Sequence, residues 1–101
     1  MVIITIQDHT NQCYTNHDGE MIYDQIVTQF ERGQKVKVSF KGIDSVSSSF
    51  VNSAFINLLE KYGFDKIKSD LGFIDSSKAI NEAIKRRFSF EVNERKKLVS
   101  V

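Results

Sequence analysis

Apolar and polar residues alternate between Val36 and Phe40, with Lys37 and Ser39 between the apolar positions. This period of two predicts a strand with one buried face over Val36–Phe40. Gly42 allows the chain to leave the strand, and a hydroxyl-rich turn then leads into a helix that should end near Gly63. The apolar residues of that helix recur at spacings of three and four and comprise Val51, Ala54, Phe55, Leu58, Leu59 and Tyr62.

The segment before this block contains a further strand and helix. Val2–Ile6 is rich in β-branched residues and predicts a first strand, with a short returning strand at Gln12–Thr15. A helix capped by Asn16 or Asp18 is expected to end at Gly33. Its apolar stripe comprises Ile22, Tyr23, Ile26, Val27 and Phe30.

The segment after Gly63 predicts a strand at about Ile67–Ile74 and a last helix that runs to about Arg87. The cap of that helix is expected at Asp75, Ser76 or Ser77. Phe88–Val92 alternates strictly, so a short edge strand is an alternative there. Strands and helices in this order predict an α/β domain with a mixed or partly parallel sheet of about four strands and about three helices.

Length and composition indicate the size of the domain and the cellular compartment of the protein. The chain has 101 residues, 41% of them hydrophobic and 27% charged, which describes one small globular domain over 1–101. Cys13 is the only cysteine, so an intramolecular disulfide and a cysteine-rich zinc site are excluded. Val2–Ile6 is too short for a signal peptide, and no apolar run approaches a membrane span. We therefore expect a cytoplasmic protein without a membrane partner.

The central block resembles a known family. STAS domains (sulfate transporter and anti-sigma-factor antagonist) have a strand that ends in an Asp-Ser-Ser-Gly turn and opens a helix, and a partner kinase phosphorylates the first serine. Phe40–Phe55 is similar to a related STAS-like family of unknown function, in which a strand is followed by Gly-Ile or Gly-Val and a Ser-Ser-Phe helix start. The resemblance also includes Asp18–Tyr23. By position, Ser47 replaces the Asp of the STAS turn and Phe50 its Gly, which carries the phospho-acceptor role to Ser48.

The resemblance implies a non-enzymatic regulatory module that binds a protein partner, such as a histidine-kinase-like ATP-binding protein. A phosphate at a helix start would meet free backbone N–H groups and add roughly −1.5 to −2 charges. The alternative is that the serines only cap a helix. Phe50 is either an exposed aromatic anchor or part of the core. The predicted partner-binding residues are Asp44, Ser45, Ser47, Ser48, Ser49, Phe50, Ser53 and Asn57.

Other chemistry is less favoured. One possible metal site consists of His9, Cys13 and His17, which follow one another at intervals of four residues. Turn-forming residues surround them, however, so histidines exposed on the surface are the simpler interpretation. Neither a nucleophile elbow nor a phosphate loop is present. We therefore predict no catalytic residue, no metal site and no cofactor.

The C-terminal segment from 85 to 97 holds six basic residues against two acidic ones. One interpretation is contact with nucleic-acid phosphates, which needs clustered cations. The favoured alternative is a solvated helix face followed by a basic tail at about 93–101. The six bases are Lys85, Arg86, Arg87, Arg95, Lys96 and Lys97.

Overall fold

The computed structural model describes residues 1–99, with side chains for residues 1–94. Strands and helices alternate along the chain. In order they are β1 (Val2–Thr5), a 3-10 helix (Ile6–Asp8), α1 (Asn16–Glu31), β2 (Val36–Ser39), α2 (Ser48–Ala54), a second 3-10 helix (Ile56–Glu60), α3 (Phe64–Asp70), β3 (Leu71–Ile74) and α4 (Lys78–Val99).

The three strands form a parallel sheet in the order β1-β2-β3, with Val2 opposite Val36 in the first pair. Crossovers between parallel strands are right-handed, so a sequential order places the connecting helices on one face. The burial of the side chains agrees with one covered face, because Val36 and Val38 are buried whereas Ile3, on the opposite face of the sheet, is 54% exposed. The α/β class is confirmed, but the described chain has three strands and four α-helices rather than about four and three.

A group of phenylalanines joins the sheet to α2. The Phe55 ring lies 5.1 Å from that of Phe73 and 5.9 Å from that of Phe50, both in edge-to-face contacts. Phe40, directly after β2, lies 6.0 Å from Phe73. Edge-to-face aromatic pairs add about 0.5–1.5 kcal/mol beyond their area burial. The start of α2 is therefore anchored on the two strands that precede and follow it.

Helices α1 and α2 approach closely at Gly19. A Cβ atom built there would lie 2.6 Å from Ser53 Cβ and 2.8 Å from the Phe50 carbonyl oxygen. Real Cβ contacts are not this short, so only glycine fits without a shift of backbone. The hydroxyl of Ser53 donates a hydrogen bond to Asn16 Oδ1 (3.0 Å) across the same contact.

The start of α1 differs from the prediction. Thr15, rather than Asn16 or Asp18, is the N-cap, because its Oγ1 accepts from Asp18 N (3.1 Å) while Asp18 Oδ2 accepts from Thr15 N (3.3 Å). This reciprocal pair is a capping box. The predicted strand at Gln12–Thr15 is wrong, since these residues form the loop that the capping box closes. The end at Gly33 is confirmed, with φ +75°.

The predicted long helix before Gly63 is divided in two. Helix α2 ends at Ala54, and the chain continues as the 3-10 helix Ile56–Glu60. Residues three apart share a face in a 3-10 helix, so Phe55 and Leu58 are both fully buried despite the change. The periodic pattern fits either helix type, which is why it did not reveal the division.

The segment after Gly63 also differs. Gly63 precedes α3 as its N-cap instead of ending a helix, and only Leu71–Ile74 of the predicted strand Ile67–Ile74 is extended. Phe64, Ile67 and Leu71 have helical spacing, and Asp65 in the first turn suits a helix start. These signals could have identified α3.

The last helix is longer than predicted. Ser77 is its cap, because Ser77 Oγ accepts from Ile80 N (3.1 Å), which confirms one of the three predicted positions. The edge-strand alternative at Phe88–Val92 is wrong, since α4 continues through Val99. Phe88 is buried and Phe90 is exposed, because residues two apart lie on different sides of a helix. The helix also covers most of the segment predicted as a tail.

We expect Gly19→Ala to lower the free energy of unfolding by about 1–3 kcal/mol, because the new methyl group overpacks the contact between α1 and α2. Alanine favours a helix over glycine by about 1 kcal/mol, so a loss of stability would show that the steric clash outweighs this gain. Urea unfolding measures the change. Gly72→Ala is the control, since its Cβ would meet only the flexible side chain of Lys37, with Cγ at 3.6 Å and Cε at 3.9 Å. Equal stability of Gly19→Ala and the wild type would contradict the close contact.

Candidate functional site

Ser47 fixes the shape of the serine turn. Its hydroxyl donates to the Tyr14 carbonyl (2.7 Å) and accepts from Phe50 N (3.1 Å), so it is the N-cap of α2. Its backbone N–H donates to the Cys13 carbonyl (2.9 Å). One residue therefore ties the start of α2 to the loop that precedes α1. The capping interpretation is confirmed for Ser47.

Asp18 holds that loop in turn. One carboxylate oxygen accepts from Thr10 Oγ1 (3.0 Å), and the other accepts from the backbone N–H groups of Tyr14 (3.4 Å) and Thr15 (3.3 Å). Burial acts to raise the pKa of Asp18, but the hydrogen bonds from Thr10 and Thr15 outweigh it, so the pKa lies below its ordinary value. The carboxylate is charged at neutral pH and accepts all three hydrogen bonds.

The other residues of the turn face solvent. Ser48 and Ser49, the first two residues of α2, are exposed, as are Asp44 and Ser45. Ser45 Oγ lies 3.4 Å from the Tyr14 hydroxyl. Asp44 and Ser45 also line a small cavity of about 130 Å³ beside the loop that holds Tyr14. These four predicted contact residues are accessible to a partner.

Two predicted contact residues are inside the protein. The Phe50 side chain is 0% exposed, so the core interpretation is confirmed and the exposed-anchor hypothesis is wrong. Ser53 is also buried, because it faces Gly19 across the contact between α1 and α2. Asn57 is exposed but lies away from the turn, on a surface shared with Glu20.

Ser48 lies in a groove that the sequence did not predict. The groove, with a volume of about 440 Å³, runs between the start of α2 and the middle of α4, and Arg86, Arg87 and Phe90 line its far side. Ala83, Arg86, Arg87 and Phe90 have spacings of three and four, so they share one face of α4. The spacing alone predicts that these four residues share a helix face, but nothing in the sequence indicates that this face lies beside Ser48.

The two arginines of the groove differ. Arg87 Nε donates to Asn52 Oδ1 (2.7 Å), and Arg87 Nη1 lies 3.3 Å from Glu91 Oε2. The Arg87 guanidinium carbon also lies 5.3 Å from the centre of the Phe90 ring, within the range of a cation–π contact. Arg86 is exposed and makes no ion pair with the side chains described for residues 1–94.

The bases of the C-terminal segment do not form one patch in the described part of the chain. Arg86 and Arg87 line the groove beside Ser48, whereas Lys85 lines a different cavity, beside Phe64 and Leu71. The side chains of Arg95, Lys96 and Lys97 lie outside the described residues.

The candidate metal ligands are dispersed. Cys13 is only 1% exposed, and burial together with the charge of Asp18 raises the pKa of its thiol to about 12. The thiol is therefore protonated at neutral pH. Among the side chains of residues 1–94, His, Cys, Asp and Glu form no group of three that could hold a metal ion. Within residues 1–99, no helix has the length and apolar composition needed to cross a membrane.

A hydroxyl-rich turn between a parallel strand and a short helix defines a small α/β domain of the STAS-like class. The chain belongs to the family of STAS-like domains of unknown function, whose model matches residues 18–81. The match includes Gly19, the serine turn and α2, but ends before the part of α4 that lines the groove. Neither the curated proteins nor the solved structures include a match to this chain.

The neighbouring serines should differ in their effect on stability. We expect Ser47→Ala to lower the free energy of unfolding by about 1–2 kcal/mol, because it removes the helix cap and a second hydrogen bond. Ser48→Ala should change it by no more than about 0.5 kcal/mol, since its side chain is exposed. Urea unfolding of both variants tests this. The assignment of Ser47 as the structural serine fails if the two losses are equal.

Asp18 should make stability depend on pH. Its folded pKa is lowered, so its contribution is complete above the unfolded pKa of about 3.9 and is lost as the pH falls through the folded value. At neutral pH we expect Asp18→Asn to be less stable than the wild type, and the gap to narrow in acid. Urea unfolding over this pH range measures the gap. A gap that does not change with pH would contradict the role of the charge.

Proposed function

We propose that this protein is a non-enzymatic, cytoplasmic regulatory module that binds a protein partner through its serine turn and the start of α2. The observation that carries the proposal is the position of Ser48. Its side chain is exposed in a groove, directly after a residue that three hydrogen bonds hold in place. Such an arrangement presents a hydroxyl in a fixed position without using it for folding.

The accessible contact surface is smaller than the predicted set. It retains Asp44, Ser45, Ser48 and Ser49, which are exposed around the turn. Ser47 contributes by shaping the turn rather than by direct contact. Phe50 and Ser53 are buried and support α2 from inside.

The resemblance to anti-sigma-factor antagonists supports a particular type of partner, an ATP-binding protein of the histidine-kinase-like kind that phosphorylates Ser48. A phosphate would add roughly −1.5 to −2 charges to a groove whose described lining residues include no carboxylate. An interface formed around a neutral hydroxyl would lose complementarity with that charge. Phosphorylation would therefore release the partner.

We expect Ser48→Glu to release a partner that the wild type retains. The wild-type chain, Ser48→Glu and Ser89→Glu are used as baits in extracts of the source cell, and retained proteins are identified by mass. Ser89 is an exposed serine of α4 that lies outside the groove, so its substitution controls for the added charge. Incubation of the wild type with the retained protein and ATP should then place a phosphate on Ser48. Equal retention by all three baits would refute the switch.

The alternative function is nucleic-acid binding through the basic C-terminal segment. It predicts binding to DNA or RNA that weakens steeply with salt and is lost when Lys85, Arg86 and Arg87 are neutralised together. Lys85 lines a different cavity from the two arginines, so the three bases do not form a continuous stripe for phosphate contacts, and this alternative is the less favoured one. Titration of labelled oligonucleotides at two salt concentrations decides this alternative.

A further inference from the structure

The wall of the groove that α4 provides combines a charge with an exposed ring. Phe90 is 58% exposed, and its ring lines the groove together with apolar side chains. Arg87 is held by Asn52 and Glu91, and its guanidinium carbon lies 5.3 Å from the centre of the Phe90 ring, within the range of a cation–π contact. This contact favours an orientation of the ring beside the groove, where a partner can pack on it.

The remaining walls divide the groove into an apolar part and a charged part. Val46, Val51 and Ala83 are half-buried or buried and provide its apolar surface. Arg86 provides a guanidinium that no described side chain neutralises, and no carboxylate is among the described lining residues. The groove therefore presents an apolar surface beside one available positive charge.

Each simpler ligand leaves part of this surface unused. A small inorganic anion would pair with Arg86 but gain nothing from the apolar walls. A purely apolar ligand would cover Arg86 without a partner for its charge, which is costly. A nucleic-acid backbone would supply phosphates but few aliphatic groups for the floor of the groove.

We propose, on the basis of the proposed function, that the groove between α2 and α4 binds a segment of the protein partner in which an aliphatic or aromatic side chain stands next to an aspartate or glutamate. The apolar side chain packs between Val51 and Phe90, and the carboxylate pairs with Arg86. Arginine suits this role because its planar guanidinium forms two parallel hydrogen bonds with a carboxylate. Aromatic residues, including phenylalanine, and arginine are also enriched at protein–protein interfaces.

The position of Ser48 in this groove gives the proposal a regulatory consequence. A phosphate on Ser48 would bring a second anion to the groove that holds Arg86, and it would compete with the carboxylate of the partner for that guanidinium. The switch would then act by occupying the binding site of the partner rather than by changing the fold.

The test uses the purified 101-residue chain as a bait for a random library of short displayed peptides. We expect the selected peptides to place Asp or Glu within a few residues of Leu, Ile or Phe. Fluorescence anisotropy then measures the affinity of a selected peptide for the wild type, Arg86→Glu, Phe90→Ser and Lys85→Glu. Lys85 is the matched control, because it is the adjacent exposed base but lines a different cavity.

We expect Arg86→Glu and Phe90→Ser each to weaken binding about tenfold or more, while Lys85→Glu changes it by less than about twofold. Replacing the acidic residue of the peptide by its amide should weaken binding to the wild type but not to Arg86→Glu. The difference measures the interaction between the peptide carboxylate and Arg86. Both substituted groove residues are exposed, so circular dichroism and urea unfolding should show unchanged folding.

Several outcomes would overturn the proposal. They are the absence of selected peptides, selected peptides without acidic residues, equal effects of Lys85→Glu and Arg86→Glu, and displacement of the peptide by an equimolar single-stranded oligonucleotide. Ser48→Glu separates the two proposals. If peptide binding depends on Arg86 and Phe90 but not on Ser48→Glu, the groove is correct and the switch is wrong. If Ser48→Glu releases the cellular partner but the peptides lack an acidic residue, the switch is correct and the groove chemistry is wrong.

Discussion

At Gly19 the backbones of α1 and α2 come so close that one methyl group would collide with Ser53 and with the carbonyl of Phe50. This contact sets the position of α2 against α1, and the hydrogen bond between Ser53 and Asn16 crosses the same point. Phe50 is then directed into the core, where its ring meets the aromatic group that joins β2 and β3. The turn before α2 therefore leads into a helix that is held in place, and Ser47 ties the end of the turn to the loop before α1.

The serine turn illustrates how one step along the chain separates a structural residue from a candidate functional one. An N-cap side chain points back to the free N–H groups of its own helix, as Ser47 does with Phe50 N. The next residue has no such acceptor role, and its side chain extends outward. Ser48 is accordingly exposed, whereas the hydroxyl of Ser47 makes two hydrogen bonds. Asp18 supports both indirectly, since it orders the loop whose carbonyls Ser47 contacts.

The α/β class, the strands at Val2 and Val36 and the glycine that ends α1 could all be predicted, because each depends on local periodicity or on a single special residue. Two of the errors have one origin. The division between α2 and the 3-10 helix, and the helix at Phe64–Asp70, both occur where spacings of three and four suit more than one backbone. Tertiary packing around Phe55 and Ile67 selected among them, and a local pattern carries no information about that packing.

The candidate site shows the same limit more clearly. The sequence by itself determined that a strand ends in a row of hydroxyls that cap a helix, because alternation and capping are properties of neighbouring residues. Only the tertiary structure decided that Ser47 is the residue in use, that Phe50 is inside and that Arg86 and Phe90 lie across a groove from Ser48. The physical reason is distance along the chain. Residues nearly forty positions apart are brought together by the packing of α4 against α2, which depends on the shape of the whole core.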